Sequence, residues 1–351
     1  MTQRTLAAVL AVPLLLALLI CAFVLPLPYA TYAPGLTVDV LGEEGGAEII
    51  SVEGHPTYRD DGELRMTTVY VSLAGPDGEK RLPELVRTWL DGDDAVYPYD
   101  VVHPEGQTRE QDERDGAVDM VTSQDTAIAV ALTEMGEEVE PELGVSYVEE
   151  GSPADGKLQV RDLFLAANGQ EVTEAEQVTA AVQAATKADP AELTVLRGSE
   201  ERTVEVVPAP LADGSTGIGI SLGPLYRFPY QVSVNIDPAI GGPSAGLMFS
   251  LAIYDTLTPG SLTDGHDIAG TGTISADGAV GPIGGIEQKI AGAREAGAEL
   301  FLVPPDNCEE ALRVEEPGLR LVKADTMHDA RQAIEAWTAD PDADLPTCED
   351  S

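Results

Sequence analysis

Two side chains in this sequence stand in settings that fit covalent chemistry, Ser244 and Lys289. Ser244 follows Gly241-Gly242-Pro243 and precedes an apolar run in which Leu247, Met248, Leu251 and Ala252 recur at helical spacing. That spacing predicts Ser244 in a first helical turn, on the buried face. The glycines allow a tight turn and a close approach to a ligand. Pro243 suits a first turn, where its missing N–H had no partner to lose. Free N–H groups and the helix dipole there would favour a developing oxyanion. A plain helix cap uses the same residue types. Lys289 lies in a second predicted helix, Gly285 to Ala296, and leans toward the apolar face of Ile286, Ile290 and Ala293. A lysine so placed commonly snorkels to the surface. A buried one becomes a base near neutral pH, and a serine hydroxyl needs such a base to become a nucleophile. The pair offers a Ser-Lys dyad, although spacing alone does not bring the two into contact.

The strings that carry this pair are GGPSAGLMFSLAIY and IAGTGTISADGAVGPIGGIEQKI. In that order and at that distance they resemble the proteolytic domain of Lon-type proteases, over about Val232 to Thr338. The resemblance implies an ATP-independent serine endopeptidase, because no ATPase portion accompanies it. Ser244 would be the nucleophile and Lys289 the general base. Thr271, in Gly270-Thr271-Gly272, would orient the lysine, and amides around Gly242, Pro243 and Ser244 would hold the oxyanion. It also implies unfolded or flexible protein substrates, no cofactor, and a ring-shaped homo-oligomer such as a hexamer. A rival reading takes Gly242 to Gly246 as the G-x-S-x-G elbow of an α/β-hydrolase-type esterase, with Asp306 and His328 downstream. It leaves the lysine segment unexplained. A second rival is a non-catalytic, membrane-anchored peptide-binding scaffold.

Upstream, the segment from Gly151 to Asp162 reads G-S-P-A-x-x-x-L-x-V-x-D, and Asn168-Gly169 follows. With the helical AEQVTAAVQAA and a hairpin around Arg197 to Glu200, it resembles a bacterial PDZ domain. The resemblance implies an extended peptide docked on a sheet edge. Leu143-Gly144-Val145 matches the loop whose amides would receive a terminal carboxylate, with the acidic Glu142 opposing it. Gly151 to Lys157 also reads G-x-x-x-x-G-K, but Leu158 follows where a phosphate loop has Ser or Thr.

Composition bounds the partners. The 61 Asp and Glu against 20 Lys and Arg disfavour nucleic acid, whose phosphates need cations. The histidines are scattered, so no metal site is expected, while Cys308 and Cys348 could pair in an oxidising compartment. Leu6 to Leu27 is free of charge and long enough for ~30 Å of hydrocarbon. With Arg4 before it, this run predicts a retained transmembrane helix, with a cleaved signal peptide as the main rival, the N-terminus cytoplasmic and the bulk extracytoplasmic. Tyr29 and Tyr32 suit its outer interface.

The expected fold is therefore α+β and multidomain, with an N-terminal transmembrane helix, a PDZ-like β-rich domain and an α/β Lon-type proteolytic domain. The expected boundaries are 1–34 for the cytoplasmic end and membrane helix, and 35–139 for a small juxtamembrane α+β region. They continue with 140–209 for the PDZ-like domain, 210–338 for the proteolytic domain and 339–351 for an acidic, disordered tail. Within the juxtamembrane region His103 to Gly116 reads as a loop, and Ser123 to Met135 as a helix with Ser123 as its cap.

Overall fold

The computed structural model describes residues 3–72, 80–102, 109–211, 214–237, 240, 242–314 and 317–350. His103, Gly241 and Ser351 lie outside the described residues. In chain order the elements that matter are α1 (Gln3–Val24), β1 (Tyr29–Asp39), β2 (Ile50–Glu53), β3 (Glu63–Ser72), β4 (Ala95–Pro98) and α2 (Arg109–Glu134). Then come β5 (Pro141–Val148), β6 (Leu163–Ala167), α3 (Ala175–Ala184), β7 (Ala191–Arg197), β8 (Glu200–Val206), β9 (Ile220–Tyr226) and β10 (Gln231–Val234). The chain closes with α4 (Gly246–Leu257), β11 (Asp267–Gly270), α5 (Ile286–Glu295), β12 (Leu300–Val303), β13 (Arg320–Lys323) and α6 (Met327–Ala339).

The expected membrane-spanning helix is corrected. Among the described residues no helix is long and apolar enough to cross a membrane. The side chains of α1 are described only from Leu10 onward, and the helix stops at Val24, just before Pro26. The tyrosines assigned to its outer interface are instead in β1, where Tyr32 packs edge-on against Tyr97.

One six-stranded sheet has the order β13-β12-β11-β3-β1-β4. The strands from β3 to β13 run parallel, and β1 and β4 are added antiparallel. All four residues of β12, Leu-Phe-Leu-Val, are buried, as expected for a parallel strand covered on both faces. One face carries α2, α4 and α6, through Ile128, Leu132, Leu247, Phe249, Leu251 and Ile334. The other carries α5, through Ile286, Ile290 and Ala293. Helix α4 is buried almost all round, the mark of a central core helix.

This topology redraws the domain boundaries. Residues 35–139 are not a separate juxtamembrane region. They supply β1, β3 and β4 to the catalytic sheet and α2 to its core, and β2 pairs with β10 across the intervening unit. Strand pairing between residues so far apart leaves no local mark in the sequence. Helix α2 already runs from Arg109, so the expected loop is helical from there and Ser123 lies in mid-helix rather than at a cap.

The inserted unit is a sheet of order β8-β7-β6-β5-β9, with Gln170–Glu171 paired to β6 and α3 packed on one face. It extends beyond the expected residue 209, because β9 pairs with β5 from Ile220↔Val148 to Tyr226↔Pro141. Its opposite face meets α2. Arg161 bonds Asp125 and Gln124, and Arg114 donates to the Ser221 hydroxyl on β9. The same helix therefore touches the inserted sheet and the catalytic core.

The expected disordered tail is also corrected. Lys323 N–H bonds the Pro346 carbonyl, Arg320 bonds the carbonyls of Pro341 and Ala343, and Leu345 is buried. Cys348 forms a disulfide with Cys308. Reduction, or Cys348→Ser, is expected to lower unfolding stability by roughly 2–4 kcal/mol, measured by urea titration of oxidised and reduced protein.

Candidate active site

Helix α4 begins at Gly246, two residues after Ser244. The delay has a cause. The Ser244 carbonyl accepts from the Gly272 N–H at 2.8 Å and from the Thr271 hydroxyl at 3.0 Å. It is thereby drawn away from the helical ladder. Ala245 takes the N-cap position and no side chain caps the helix. The plain-cap reading of Ser244 thus finds no support, and its hydroxyl is free for other work. Gly242 has φ +90°, the left-handed region that glycine enters without steric cost. Among the described residues the Ser244 and Ala245 N–H groups have no backbone acceptor.

Lys289 approaches from α5. The turn at Gly285, φ +71°, opens that helix, and the Lys289 N–H closes its first bond on the Gly285 carbonyl at 3.0 Å. The residue is 2% exposed. Its Nζ lies 2.8 Å from Ser244 Oγ and 2.9 Å from Thr271 Oγ1. No carboxylate forms an ion pair with it among the described residues. Burial alone pulls its pKa from 10.5 to about 7, because the charged form loses its hydration and gains no counter-charge. A neutral amine can accept the Ser244 proton while one of its own N–H bonds donates to Thr271. The Thr271 hydroxyl proton goes to the Ser244 carbonyl. Thr271 thus ties the amine to the backbone that carries the serine.

A cavity of about 680 Å³ opens onto this pair. Tyr32, Met66 and Val69 from β1 and β3, with Ile240, Pro282 and Ile283, give it mainly apolar walls. Pro243, Ser244, Ala245 and Lys289 line it too. The part played by β1 and β3 was not visible in the sequence, where those strands stand far from either motif. The esterase reading finds no geometry. His328 bonds Glu134 and Gln332, Asp306 sits in the short turn Pro305–Asn307, and neither bonds Ser244.

The residues expected to receive a peptide carboxylate are corrected as well. Leu143, Gly144 and Val145 lie inside β5, between β6 and β9. The Val145 N–H already bonds the Asp162 carbonyl at 2.9 Å. The sheet's two edge strands are β8 and β9. The turn before β9, Gly217-Ile218-Gly219, has Gly219 at φ +73°. Its signal in the sequence was a pair of glycines around an apolar residue, beyond the expected end of the domain.

Residues 237–333 match the Lon protease (S16) C-terminal proteolytic domain. That Lon-like segment holds Ser244, Thr271 and Lys289. Residues 144–197 match the PDZ domain family. The chain is 44% identical over 66 residues to the Lon protease of Desulforamulus reducens, covering 19% of this chain and 8% of that one. It is 29% identical over 107 residues to Lon protease 2 of Bacillus subtilis, covering 30% and 19%. The solved PDZ domain of an SdrC-like protein from Listeria monocytogenes is similar at 20% identity and a TM-score of 0.21, over 24% of this chain and 92% of that one. The chain spans less than a fifth of the length of these Lon relatives. The Lon-like match and the names of the relatives support a serine endopeptidase.

Proposed function

We propose that this chain is an ATP-independent serine endopeptidase that cleaves unfolded or flexible proteins outside the cytoplasm. The observation that carries the proposal is the buried Lys289 amine 2.8 Å from the Ser244 hydroxyl, with its pKa drawn to about 7. At neutral pH about half of such amines are uncharged. Lys289 removes the Ser244 proton as Oγ attacks a peptide carbonyl carbon. The Ser244 and Ala245 amides receive the oxyanion. When the C–N bond breaks, Lys289 returns the proton to the departing amine. Water, activated by the same lysine, then hydrolyses the acyl-enzyme and frees the serine.

The inserted unit supports a recruiting role. One of its two edge strands, β9, is where an extended segment would add to the sheet. The apolar walls of the catalytic cavity suit the side chains that unfolded substrates expose. The phosphate-loop-like string Gly151 to Lys157 is a turn of the inserted unit, and the buried Leu158 follows it. The disulfide supports an oxidising compartment. A ring-shaped homo-oligomer, implied by the likeness to Lon proteases, belongs to the same proposal.

The test is cleavage without nucleotide. Purified protein is expected to degrade a permanently unfolded polypeptide faster than its folded counterpart, and added ATP should leave both rates unchanged. Strict dependence on ATP, or equal degradation by Ser244→Ala, would contradict the proposal.

A further inference from the structure

Serine in the middle of a helix ordinarily returns its hydroxyl to the carbonyl four residues back. Thr133 on α2 does so, donating to the Ala129 carbonyl at 2.8 Å. Ser123 on the same helix does not. Its Oγ donates at 3.1 Å to the carbonyl of Pro243, the residue before Ser244. Ser123 is 5% exposed, and the bond is partly buried.

The contact is closely fitted. At Gly246 an added Cβ would lie 3.0 Å from Ser123 Oγ and 2.7 Å from Ile274 Cγ2. Helix α2 reaches the serine loop because Gly246 has no side chain. The only other hydrogen bond to the Pro243 carbonyl among the described residues is a long one from the Gly246 N–H, at 3.3 Å.

A peptide unit is planar and trans, so its C=O and N–H point in opposite directions. Whatever holds the Pro243 carbonyl therefore aims the Ser244 N–H. Pro243, Ser244 and Ala245 line the cavity, and Ser123 does not. The N–H opposite the held carbonyl is that of Ser244, which lines the cavity. The next peptide unit is held in the same manner. Thr271 and Gly272 grip the Ser244 carbonyl, which aims the Ala245 N–H.

We propose that Ser123 is a positioning residue for catalysis, one that aims the Ser244 amide at the oxyanion by holding the Pro243 carbonyl. The inference rests on the serine-endopeptidase reading above. It adds a residue that lies outside the Lon-like match of residues 237–333 and reaches Ser244 only through the fold.

The experiment compares wild type, Ser123→Ala and Ser244→Ala as full-length proteins on a quenched fluorescent peptide, with rates given per active site titrated by a fluorophosphonate for the first two and per mole of protein for Ser244→Ala. Ser123→Ala is expected to lower kcat roughly ten- to hundred-fold, somewhat less than outright removal of an oxyanion donor. KM should stay within about two-fold, since a ground-state carbonyl demands little of the donor. Affinity for a peptide boronate, whose adduct is tetrahedral, should fall in parallel with kcat. The acid limb of the pH profile should stay near 7, because Lys289 is untouched. An unchanged kcat per titrated site would overturn the inference, even with a lowered Tm, since that is the pattern of a purely structural residue. A displaced acid limb would overturn it too, by tracing the effect to the lysine. If wild type shows no turnover beyond Ser244→Ala, the endopeptidase reading falls and this inference with it. A working wild type with an indifferent Ser123→Ala removes this inference alone.

Discussion

Ser244→Ala is expected to lower turnover of an unfolded protein on the order of 10³- to 10⁶-fold, the range seen when a serine nucleophile is removed. The fold should survive. Ser244 holds its loop through its carbonyl, which accepts from Thr271 and Gly272, and alanine keeps that carbonyl. Its hydroxyl bonds Lys289, which retains Thr271 as a partner in the variant. Substrate binding should persist as well, because the cavity walls come from Tyr32, Met66, Val69 and Ile283. The variant should therefore bind an unfolded polypeptide with near wild-type affinity while cutting it hardly at all. Fluorescence anisotropy for binding and fluorescence dequenching for cleavage separate the two. A variant that still cuts within about ten-fold of wild type would assign the chemistry to another group.

Lys289→Met is expected to abolish cleavage while making the protein more resistant to unfolding at neutral pH. The sign follows from the pKa. The folded value is about 7, against 10.5 for a free lysine. Between those values the unfolded chain binds a proton that the folded chain does not. Stability attributable to this site therefore rises with pH across that window. Below pH 7 both states are protonated and the full cost of burying the ammonium is felt. Above 10.5 neither is protonated and the cost is gone. The cost near pH 7 is on the order of a few kcal/mol, and methionine, similar in length and uncharged, removes it. Against this stands the loss of the amine's bonds to Ser244 and Thr271, about 1 kcal/mol each. Urea unfolding at several pH values is the check. The advantage of Lys289→Met should be largest at pH 7 and below and shrink as pH approaches 10.5. Catalytic groups commonly carry such a stability cost.

The pair at the centre of this site was legible because both partners sit in short, glycine-punctuated strings, where local sequence dictates local backbone. Gly285 opens α5, and its Ile286-Ile290-Ala293 face sinks Lys289 into the core, as the spacing of those residues indicated. The start of α4 was misplaced by two residues because Thr271 and Gly272 compete for the Ser244 carbonyl, and they come from another part of the chain. The same limit hid β1, β3 and α2 within the catalytic core. Each pairs or packs with segments beyond the inserted unit, such as β11 and α4. It also sent the peptide-docking residues to β5, an internal strand, when the sheet's edges are β8 and β9. The acidic tail read as disordered by composition. Arg320, Lys323 and Cys308 hold it to the body, and a charge count does not see such ties.

The most direct measurement is the rate at which a fluorophosphonate labels Ser244 as a function of pH, with the labelled residue located by peptide mass spectrometry. This chemistry needs the serine and its base but no particular substrate. With Lys289 as the base, labelling should rise about ten-fold per pH unit below 7 and level off above it, and Lys289→Met should label only at a slow, pH-independent rate. Labelling of Ser244 that ignores both pH and Lys289 would contradict the pairing of amine and hydroxyl on which the proposed function stands.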